Sequence, residues 1–374
     1  MADLNLATIG GDGVGPEVVD QALRVLDATA PRFGLSIDRT DLPYGGARYL
    51  ETGQVLTDDE VQDLKRYDAV LLGAVGRPDV PPGVLEKGLL LKLRFDLDLF
   101  INLRPGALLP GVTTPLADKQ PADIDMLMVR ENTESLYLGA GGRARQGTPY
   151  EVATQEMWAT RFGVERCLRY AFDAAQARPR KHLTLVHKTN VLTFCGKLWF
   201  DVFQEVAGDY PDVETDYHHV DACCMYLVSS PERYDTLVTE NMFGDIVTDL
   251  AAAICGGMGV AASGNLNPLA DALGPSVFEP VHGSAPDIAG QDAANPLACV
   301  ASLAMLLTET GRRLDKPKLV DAGGAVDRAI AAVSPTFAGK RLDRSGMGCT
   351  EIGDRLIQAV EQTASAPSGA GVSS

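Results

Sequence analysis

The sequence predicts an α/β protein in which parallel strands are joined by helices. Short apolar runs that are typical of buried strands alternate with runs of helical period from the first residues onward. The chain has 374 residues, of which 45% are hydrophobic and 22% are charged. It is therefore long enough to fold as two domains or as one large α/β unit.

The N-terminal part of the chain alternates between the two kinds of run. LNLATIG predicts a strand, and PEVVDQALRVLDATA has the apolar spacing of a helix. TDDEVQDLKRY predicts a further helix that is capped by Thr57, and AVLLGAV predicts a buried strand.

Later segments continue the alternation. IDMLMVREN and HLTLVHKTN predict strands, and three longer segments predict helices: RFGVERCLRYAFDAAQA, CGKLWFDVFQEVA and FGDIVTDLAAAICGG. The tail ASAPSGAGVSS, residues 364–374, is small and polar and predicts a disordered segment. Because no linker-like stretch divides the chain, composition does not indicate a domain boundary.

Acidic residues outnumber basic residues by 50 to 33, which gives a formal net charge of −17. This charge would repel phosphate backbones and anionic lipids, so it predicts neither a nucleic-acid partner nor a membrane partner. The net negative charge does not exclude small anionic substrates, because positively charged side chains at a binding site can outweigh the overall negative potential. The N-terminus has no basic region, and no apolar run approaches about 18 residues, so we expect a cytoplasmic protein.

Glycines are concentrated in GGDGVGPE, residues 10–17, which precedes the first predicted helix. A dinucleotide-binding fingerprint would read G-x-G-x-x-G, with an acidic residue about 20 positions further on. Here Pro16 stands in place of the last glycine, and Asp38 follows too late. The segment therefore predicts a tight turn, with Pro16 in the first turn of the helix, where its missing N–H costs nothing.

The segment TENMFGDIVTDL contains two aspartates four residues apart. In a helix, Asp245 and Asp249 project from the same face, a spacing that lets two carboxylates share one hard cation. A solvated helix face is the alternative for such a pair. Asp221 also precedes an apolar run, where an N-cap role would be enough to explain it.

Three arginines, Arg94, Arg104 and Arg130, each follow apolar residues and should emerge at the rim of a core. Three such guanidinium groups fit a di-acid that is held by bidentate pairs, whereas each one singly could be a structural ion pair. Lys188, at the end of a predicted strand, and Tyr137 are the candidates for proton transfer.

The segment FEPVHGSAPDIAGQDAANP, residues 278–296, contains few large side chains and predicts a long loop. Small residues allow a ligand to lie against the backbone, and Asp287 could accept hydrogen bonds from both hydroxyls of an adenosine ribose. An ordinary surface loop is the alternative.

Six motifs occur in the order GDGVGPE, NLRP, RENTE-x-x-Y, HKTNV, NMFGDIVTDLAA and EPVHGSAPDIAG. Together they resemble the β-decarboxylating dehydrogenases, the isocitrate and isopropylmalate dehydrogenase family. The resemblance implies a two-domain α/β/α sandwich that is not a Rossmann fold. It also implies a cofactor-binding domain formed by residues 1–101 and 256–374, and a substrate, metal and dimerisation domain formed by residues 102–255.

The resemblance implies NAD and Mg²⁺ or Mn²⁺ as cofactors, and it assigns a role to each candidate residue. Proton transfer falls to Lys188 and Tyr137. The implied metal ligands are Asp221, Asp245 and Asp249. Substrate binding is implied for Arg94, Arg104, Arg130, Leu90, Leu91 and Asp221, and cofactor binding for His282, Gly283, Ser284, Ala285, Asp287, Ile288 and Asn295. Because the family supplies its equivalents of Lys188 and Asp221 from the second subunit, a homodimer with shared active sites is implied.

The implied activity is the NAD-dependent oxidative decarboxylation of a malate that carries a 3-substituent. Leu90 and Leu91 would form an aliphatic wall, which favours a branched alkyl group because a carboxylate buried there would lack a partner. The expected substrate is therefore 3-isopropylmalate, in leucine biosynthesis. Tartrate, D-malate, homoisocitrate or another 3-substituted malate is the alternative. Asp287 would repel a 2′-phosphate, which favours NAD over NADP.

A non-catalytic regulatory subunit is a further alternative, but such a subunit would be expected to lose the metal and proton-transfer residues that are present here. Three features depart from the family pattern. Ser135 stands where the family usually has glycine, and Cys223 and Cys224 stand where small apolar residues are usual. One residue more than in some relatives separates Glu86 from Arg94. The first two departures mark either neutral change or a different 3-alkylmalate.

Overall fold

The computed structural model describes residues 2–269, 271–338 and 346–363, and the tail at 364–374 lies outside them. Contacts divide these residues into two compact units. The first unit contains residues 2–99 and 107–121 and the described residues from 252 onward. The second unit contains residues 100–106 and 122–251. The cofactor and substrate roles assigned to the two domains stay predictions.

The structure contains strands and α-helices that we number in chain order. The strands are β1 (Leu4–Gly11), β2 (Ile37–Asp41), β3 (Ala69–Ala74), β4 (Ile101–Ala107), β5 (Asp125–Glu131), β6 (Gly141–Ala144), β7 (Val152–Gln155), β8 (His182–His187), β9 (Glu214–His219), β10 (Thr236–Thr239), β11 (Ala262–Leu266) and β12 (Ser276–Pro280). The α-helices are α1 (Gly15–Thr29), α2 (Gly46–Thr52), α3 (Asp58–Leu64), α4 (Lys92–Asp96), α5 (Arg161–Ala177), α6 (Cys195–Ala207), α7 (Val220–Ser229), α8 (Asn241–Ile254), α9 (Leu297–Arg313), α10 (Pro317–Val333) and α11 (Cys349–Thr363).

The first unit contains strands in the order β2-β1-β3-β12-β11. The β1–β2, β1–β3 and β3–β12 pairs are parallel, whereas β11 and β12 are antiparallel. Alternate strand residues such as Ile9 and Leu72 pack into one hydrophobic cluster. Their neighbours Leu71 and Phe278 are also fully buried, and helices α1 and α9 contact these strands. Both faces of the strands are therefore covered, as expected for parallel strands in an α/β protein.

The second unit contains strands in the order β4-β5-β10-β8-β9, together with the separate hairpin β6–β7. The strands from β5 to β9 in this order are parallel, and α5 packs against β5, β8 and β10. Arg130 lies near the end of β5, Lys188 directly follows β8, and Asp221 lies just after β9. Because the carboxyl ends of parallel strands share one edge, the topology places all three residues at that edge.

The structure confirms the α/β prediction and each of the predicted helices and strands, and the capping box of Thr57 with Glu60 is present. Two details differ. The predicted loop at 278–296 begins inside β12 and contains the short 3₁₀ turn Pro286–Ile288. Asp221 is not an N-cap, because His219 holds that position and Asp221 lies in the first turn of α7. None of the described helices is both long enough and apolar enough to span a bilayer.

Candidate active site

Arg130 is the centre of a buried polar cluster in the second unit. Its side chain is only 1% exposed, its Nη1 donates to Asp245 Oδ1 at 2.5 Å, and its Nε donates to Asn241 Oδ1 at 2.9 Å. Its Nη2 is buried and has no hydrogen-bond partner in the described part of the chain. A buried guanidinium with a donor to spare is suited to binding an anionic ligand, because leaving such a donor unpaired is costly.

Tyr137 completes this cluster. The guanidinium of Arg130 lies 5.2 Å from the centre of the Tyr137 ring, and the phenol donates to Asp245 Oδ2 at 3.0 Å. Burial raises the pKa of Tyr137, and the neighbouring Asp245 carboxylate adds to this, so the phenol keeps its proton at neutral pH. Burial acts in the same direction on Asp245, but the Arg130 charge and the hydrogen bonds from Tyr137 and Arg130 outweigh it and lower the pKa of Asp245.

A glycine in α8 makes room for Arg130. A Cβ atom on Gly244 would lie 2.4 Å from Cγ of Arg130, which is closer than real carbon atoms approach. The side chain of Arg130 therefore passes α8 at Gly244, where any residue with a Cβ atom would occupy the space that the arginine fills. This explains why glycine precedes Asp245 in the motif.

Arg104 and Asp249 form a looser pair in the same unit. Their nearest charged atoms lie 3.9 Å apart, and Arg104 Nε also donates to Asn102 Oδ1 at 2.9 Å. Burial raises the pKa of Asp249, which the Arg104 charge opposes and the Asp245 charge reinforces. The side chain of Asp249 is 58% exposed, and that of Asp245 is 47% exposed. Both predicted metal ligands of α8 thus present oxygen atoms to solvent.

Lys188 and Asp221 form a separate pair. Lys188 Nζ donates to Asp221 Oδ1 at 2.5 Å, and this hydrogen bond lowers the pKa of Asp221. Tyr217 holds the neighbourhood in place, because its hydroxyl contacts Thr189 Oγ1 at 2.8 Å and His219 Nδ1 at 3.0 Å. Within the described residues, no three acidic, histidine or cysteine side chains of one chain are placed to hold a metal. The fold of a single chain therefore does not bring Asp221 together with Asp245 and Asp249.

The segment before Arg94 is wound more widely than an α-helix. Residues Glu86–Leu91 form a π-helix that continues directly into α4. Four leucines at intervals of four residues are almost fully buried: Leu85, Leu89, Leu93 and Leu97. A regular α-helix with 3.6 residues per turn would rotate such positions away from a common face, whereas the wider π turn keeps them aligned.

The same interval of four residues aligns Glu86, Leu90 and Arg94 in the next row around the helix. Leu90 is half-buried and packs against the hydrophobic cluster of the first unit, and Leu91 is also half-buried. Arg94 is buried, with Nη2 3.7 Å from Glu279 Oε1. The substrate-binding roles assigned to Leu90, Leu91 and Arg94 stay predictions.

The glycine-rich segment at 10–17 packs against the predicted cofactor loop. The N–H of Val14 donates to the Ser284 carbonyl at 2.8 Å, and a Cβ on Gly13 would lie 1.9 Å from that oxygen. The carboxylate of Asp12 accepts the N–H groups of Gly46 and Gly76 at 2.9 to 3.1 Å. The segment is therefore a tight turn that is joined to neighbouring loops by a backbone hydrogen bond and by the side chain of Asp12.

The residues predicted to bind the cofactor lie on one stretch of the first unit. His282 Nε2 is buried and lacks a hydrogen-bond partner among the described residues, while burial lowers the pKa of the ring. Gly283 is exposed with no atom near the position of a Cβ, and Asp287 is also exposed. The Asn295 side chain accepts the N–H of Leu297 at 3.0 Å. The remaining predicted members are Ser284, which is buried, and Ala285 and Ile288, which are exposed.

Comparison with known proteins agrees with this arrangement. A family model described as isocitrate/isopropylmalate dehydrogenase matches residues 5–356. The chain belongs to the isocitrate/isopropylmalate dehydrogenase family. The family resemblance of the six motifs is therefore confirmed, and the chain is a member of a family of dehydrogenases.

Two relatives of this family member carry the name 3-isopropylmalate dehydrogenase. The protein from Thermobifida fusca is 53% identical over 359 residues, which cover 96% of this chain and 98% of the relative. The protein from Streptomyces coelicolor is 54% identical over 357 residues, with the same coverage of 96% and 98%. The crystal structure of isocitrate dehydrogenase from Methylococcus capsulatus matches with a TM-score of 0.83 and 34% identity, over 96% of this chain and all of that chain.

Two departures from the family pattern have a structural explanation. Ser135 has a φ of 69°, a left-handed conformation that glycine adopts without strain, and its hydroxyl contacts Glu240. Cys223 is buried and hydrogen-bonded to Tyr234, and burial raises the pKa of its thiol to about 12. A thiol of this kind stays protonated, so Cys223 has a packing role in α7.

Sequence reasoning missed Glu240 and Asn241. Glu240 accepts the N–H groups of Met242 and Phe243 at the start of α8, and Asn241 joins Arg130 to the backbone carbonyl of Glu134. An acidic residue directly before an apolar helix is an N-terminal signal that could have indicated Glu240. No local signal indicated Asn241, because its partners lie more than 100 residues away in sequence.

Proposed function

We propose that this family member catalyses the NAD-dependent oxidative decarboxylation of 3-isopropylmalate to 2-oxo-4-methylpentanoate, in leucine biosynthesis. The observation that carries the proposal is the Arg130 cluster. It combines a spare buried guanidinium donor, a protonated phenol and a carboxylate of lowered pKa within hydrogen-bond distance of one another. The names of the two relatives support this substrate.

Substrate carboxylates are assigned to the arginines. The free Nη2 of Arg130 and the loosely paired Arg104 are the donors of the second unit, and Arg94 keeps its predicted role in the first. A planar guanidinium matches a carboxylate in a bidentate pair, which orients the substrate as well as holding it. The aliphatic side chains of Leu90 and Leu91 are the proposed contacts for the isopropyl group.

The carboxylates of α8 fit a divalent cation. Asp245 and Asp249 are hard oxygen donors four residues apart on one helix, and both are partly exposed. We assign Mg²⁺ or Mn²⁺ to these two residues and to Asp221 of a second copy. A cation held by these residues would supply Lewis-acid stabilisation of negative charge on a substrate oxygen.

The cofactor loop fits NAD. His282 Nε2 is a buried nitrogen without a partner in the described residues, and Gly283 leaves space for a ligand against the backbone. The exposed Asp287 carboxylate would accept ribose hydroxyls and repel a 2′-phosphate. NAD⁺ held by these residues would supply the hydride acceptor that oxidation at C2 of the substrate requires.

Two side chains are assigned to move protons. Lys188 is the candidate base for the proton of the C2 hydroxyl, and its cationic form would stabilise the enolate that remains after CO₂ leaves. Tyr137 keeps its phenol proton because burial raises its pKa, so it can donate that proton to C3. Oxidation at C2, loss of CO₂ and protonation at C3 together balance the overall reaction.

A homodimer with shared active sites is part of the proposal. Lys188 and Asp221 pair with each other, apart from the Arg130 cluster of their own chain. Large apolar side chains are exposed nearby in sequence, Met225 and Val228 on α7 and Ile246 on α8. Burying such side chains against a second copy would remove apolar surface from water.

The test measures NADH formation by the purified protein with NAD⁺ and Mn²⁺. The substrates are 3-isopropylmalate, isocitrate, homoisocitrate, D-malate, tartrate and 3-methylmalate. Each assay is repeated with NADP⁺ in place of NAD⁺. Asp245→Asn should abolish activity, whereas Asp201→Asn, which removes an exposed acid paired with Lys197, should not. A preference for another malate would refute the assignment of the isopropyl group, and faster reduction of NADP⁺ would refute the role given to Asp287.

A further inference from the structure

Ser135 occupies a backbone position that disfavours side chains other than glycine. Its φ of 69° lies in the left-handed region, yet the residue is a serine and is only 1% exposed. Its hydroxyl donates to Glu240 Oε2 at 2.5 Å, and its N–H donates to the Trp158 carbonyl at 2.9 Å. A hydrogen bond to a buried carboxylate offsets backbone strain, which gives a physical reason for serine at this position.

The partner of Ser135 begins the helix that carries the predicted metal ligands. Glu240 is 2% exposed, and its two carboxylate oxygens accept the N–H groups of Met242 at 2.9 Å and Phe243 at 2.5 Å. These N–H groups have no partner within a helix, so the carboxylate satisfies them and sets the position of the first turn of α8. Asp245 follows one turn later.

Ser135 and Tyr137 share one short 3₁₀ turn, Ser135–Leu138. This turn is joined to α8 twice, by Ser135 to Glu240 and by Tyr137 to Asp245 at 3.0 Å. The two contacts close a ring through the first turn of α8. Loss of the first contact would leave the turn joined to α8 by the Tyr137 contact and by Asn241, whose side chain donates to the carbonyl of Glu134, the residue before the turn, at 3.2 Å.

We propose that Ser135 is a positioning residue, which through Glu240 holds the Tyr137 turn and the first turn of α8 in the geometry that proton transfer requires. The catalytic part of this inference rests on the proposed function, whereas the structural part does not. Because small displacements of a proton donor reduce the rate steeply, loss of the contact should lower kcat more than it changes KM.

Two variants separate the hydroxyl from the backbone conformation. Ser135→Gly removes the hydroxyl and relieves the positive φ, so it should fold at least as readily as the parent protein. Ser135→Ala removes the hydroxyl and keeps the strain. Both should lower kcat by about 10-fold with KM within about 2-fold, and both should increase amide hydrogen exchange at Met242 and Phe243. Lys181→Gly relieves a positive φ of 49° elsewhere in the same unit and is the matched control. It should change neither kcat nor the amide exchange at Met242 and Phe243.

A double-mutant cycle tests the route through Glu240. In a Glu240→Gln background, Ser135→Gly should lower kcat by less than about 2-fold, because the partner has already changed. The same 10-fold loss in both backgrounds would overturn the route. Unchanged exchange at the start of α8 in both serine variants would overturn the contact itself. Increased exchange with parental kcat would overturn the positioning role.

The exchange measurement also separates this inference from the proposed function. If the parent protein oxidises none of the malates but the serine variants still loosen the start of α8, the structural contact stands and the proposed function fails. If the parent protein is active and exchange does not change, the inference fails and the proposed function stands.

Discussion

Replacement of Arg130 by lysine tests the most connected residue of the candidate site. Lysine keeps one positive charge but presents a single nitrogen, so it cannot reach both Asp245 and Asn241 as the guanidinium does. It also loses the flat face that lies 5.2 Å from the centre of the Tyr137 ring. We therefore expect Arg130→Lys to lower both stability and activity although the net charge is unchanged.

The magnitude follows from the contacts. The hydrogen bond from the charged guanidinium to the Asn241 amide contributes about 1.5 kcal/mol, and the change from a fork to a point charge at Asp245 removes roughly 0.5 kcal/mol more. The second value is kept small because the side chain of Asp245 is 47% exposed and its ion pair is partly screened by solvent. The free energy of unfolding should fall by about 2 kcal/mol. Loss of the free Nη2 donor should cost a further ~2 kcal/mol in substrate binding, which is about 30-fold in kcat/KM.

Urea unfolding at one fixed protein concentration measures the first quantity, and NADH formation with 3-isopropylmalate measures the second. Arg169→Lys is the matched control, because Arg169 is 45% exposed and forms only surface pairs with Glu165 and Asp209. It should change the free energy of unfolding by less than about 0.5 kcal/mol. Equal effects of the two replacements would refute the argument from burial and geometry.

Three further predictions concern neighbouring residues. Tyr137→Phe should lower kcat about 100-fold, because it removes the proton donor, while Mn²⁺ affinity measured by electron paramagnetic resonance stays within about 3-fold. Burial raises the pKa of Glu131 to about 7, above its value of about 4.5 in the unfolded chain. As the pH rises, the unfolded chain therefore loses this proton at a lower pH than the folded protein does. The contribution of Glu131 to stability should therefore be fully present below pH ~4.5 and should fall by about 3 kcal/mol as the pH rises to about 7, and this decline should be missing when thermal unfolding of Glu131→Gln is compared with that of the parent protein. Gly244→Ala should lower the free energy of unfolding by about 2 kcal/mol, because its Cβ would lie 2.4 Å from Cγ of Arg130.

Each of these predictions has an outcome that would contradict it. Equal losses of kcat and Mn²⁺ affinity in Tyr137→Phe would indicate a binding role for the phenol. Parallel pH profiles for the parent protein and Glu131→Gln would show that this carboxyl is charged throughout the range. Gly142→Ala is the control for Gly244→Ala, since no atom lies within 4 Å of its Cβ position. Similar destabilisation in both glycine variants would exclude a specific clash with Arg130.

Local signals in the sequence were sufficient for those helices and strands that were predicted from it, whereas others, such as α9, α10 and α11, were not predicted. Thr57 and Glu60 form the capping box that their spacing predicts, and α5 spans the residues that its periodicity indicates. These signals succeed because a cap or an amphipathic face depends on residues within a few positions of one another. The same reasoning identified the tight turn at 10–17, where Pro16 lies in the first turn of α1.

The candidate site depended on distances that no local signal contains. The phenol of Tyr137 and the carboxylate of Asp245 are separated by 108 positions in sequence yet are hydrogen-bonded. Ser135 stood out in the sequence only as a departure from a family pattern, and its φ and its contact with Glu240 came from the fold. The π-helix at Glu86–Leu91 was likewise not predicted from the sequence.

The sequence by itself determined the α/β class, the alternation of strands and helices, the family and the residue types of the candidate site. It could do so because periodicity, caps and motifs are properties of neighbouring residues. Only the tertiary structure decided which candidates meet, with Arg130, Tyr137 and Asp245 in one cluster and Lys188 and Asp221 in another. It also decided which groups titrate unusually, such as Glu131, because burial and the distance to other charges depend on the packing of segments that are far apart in the chain.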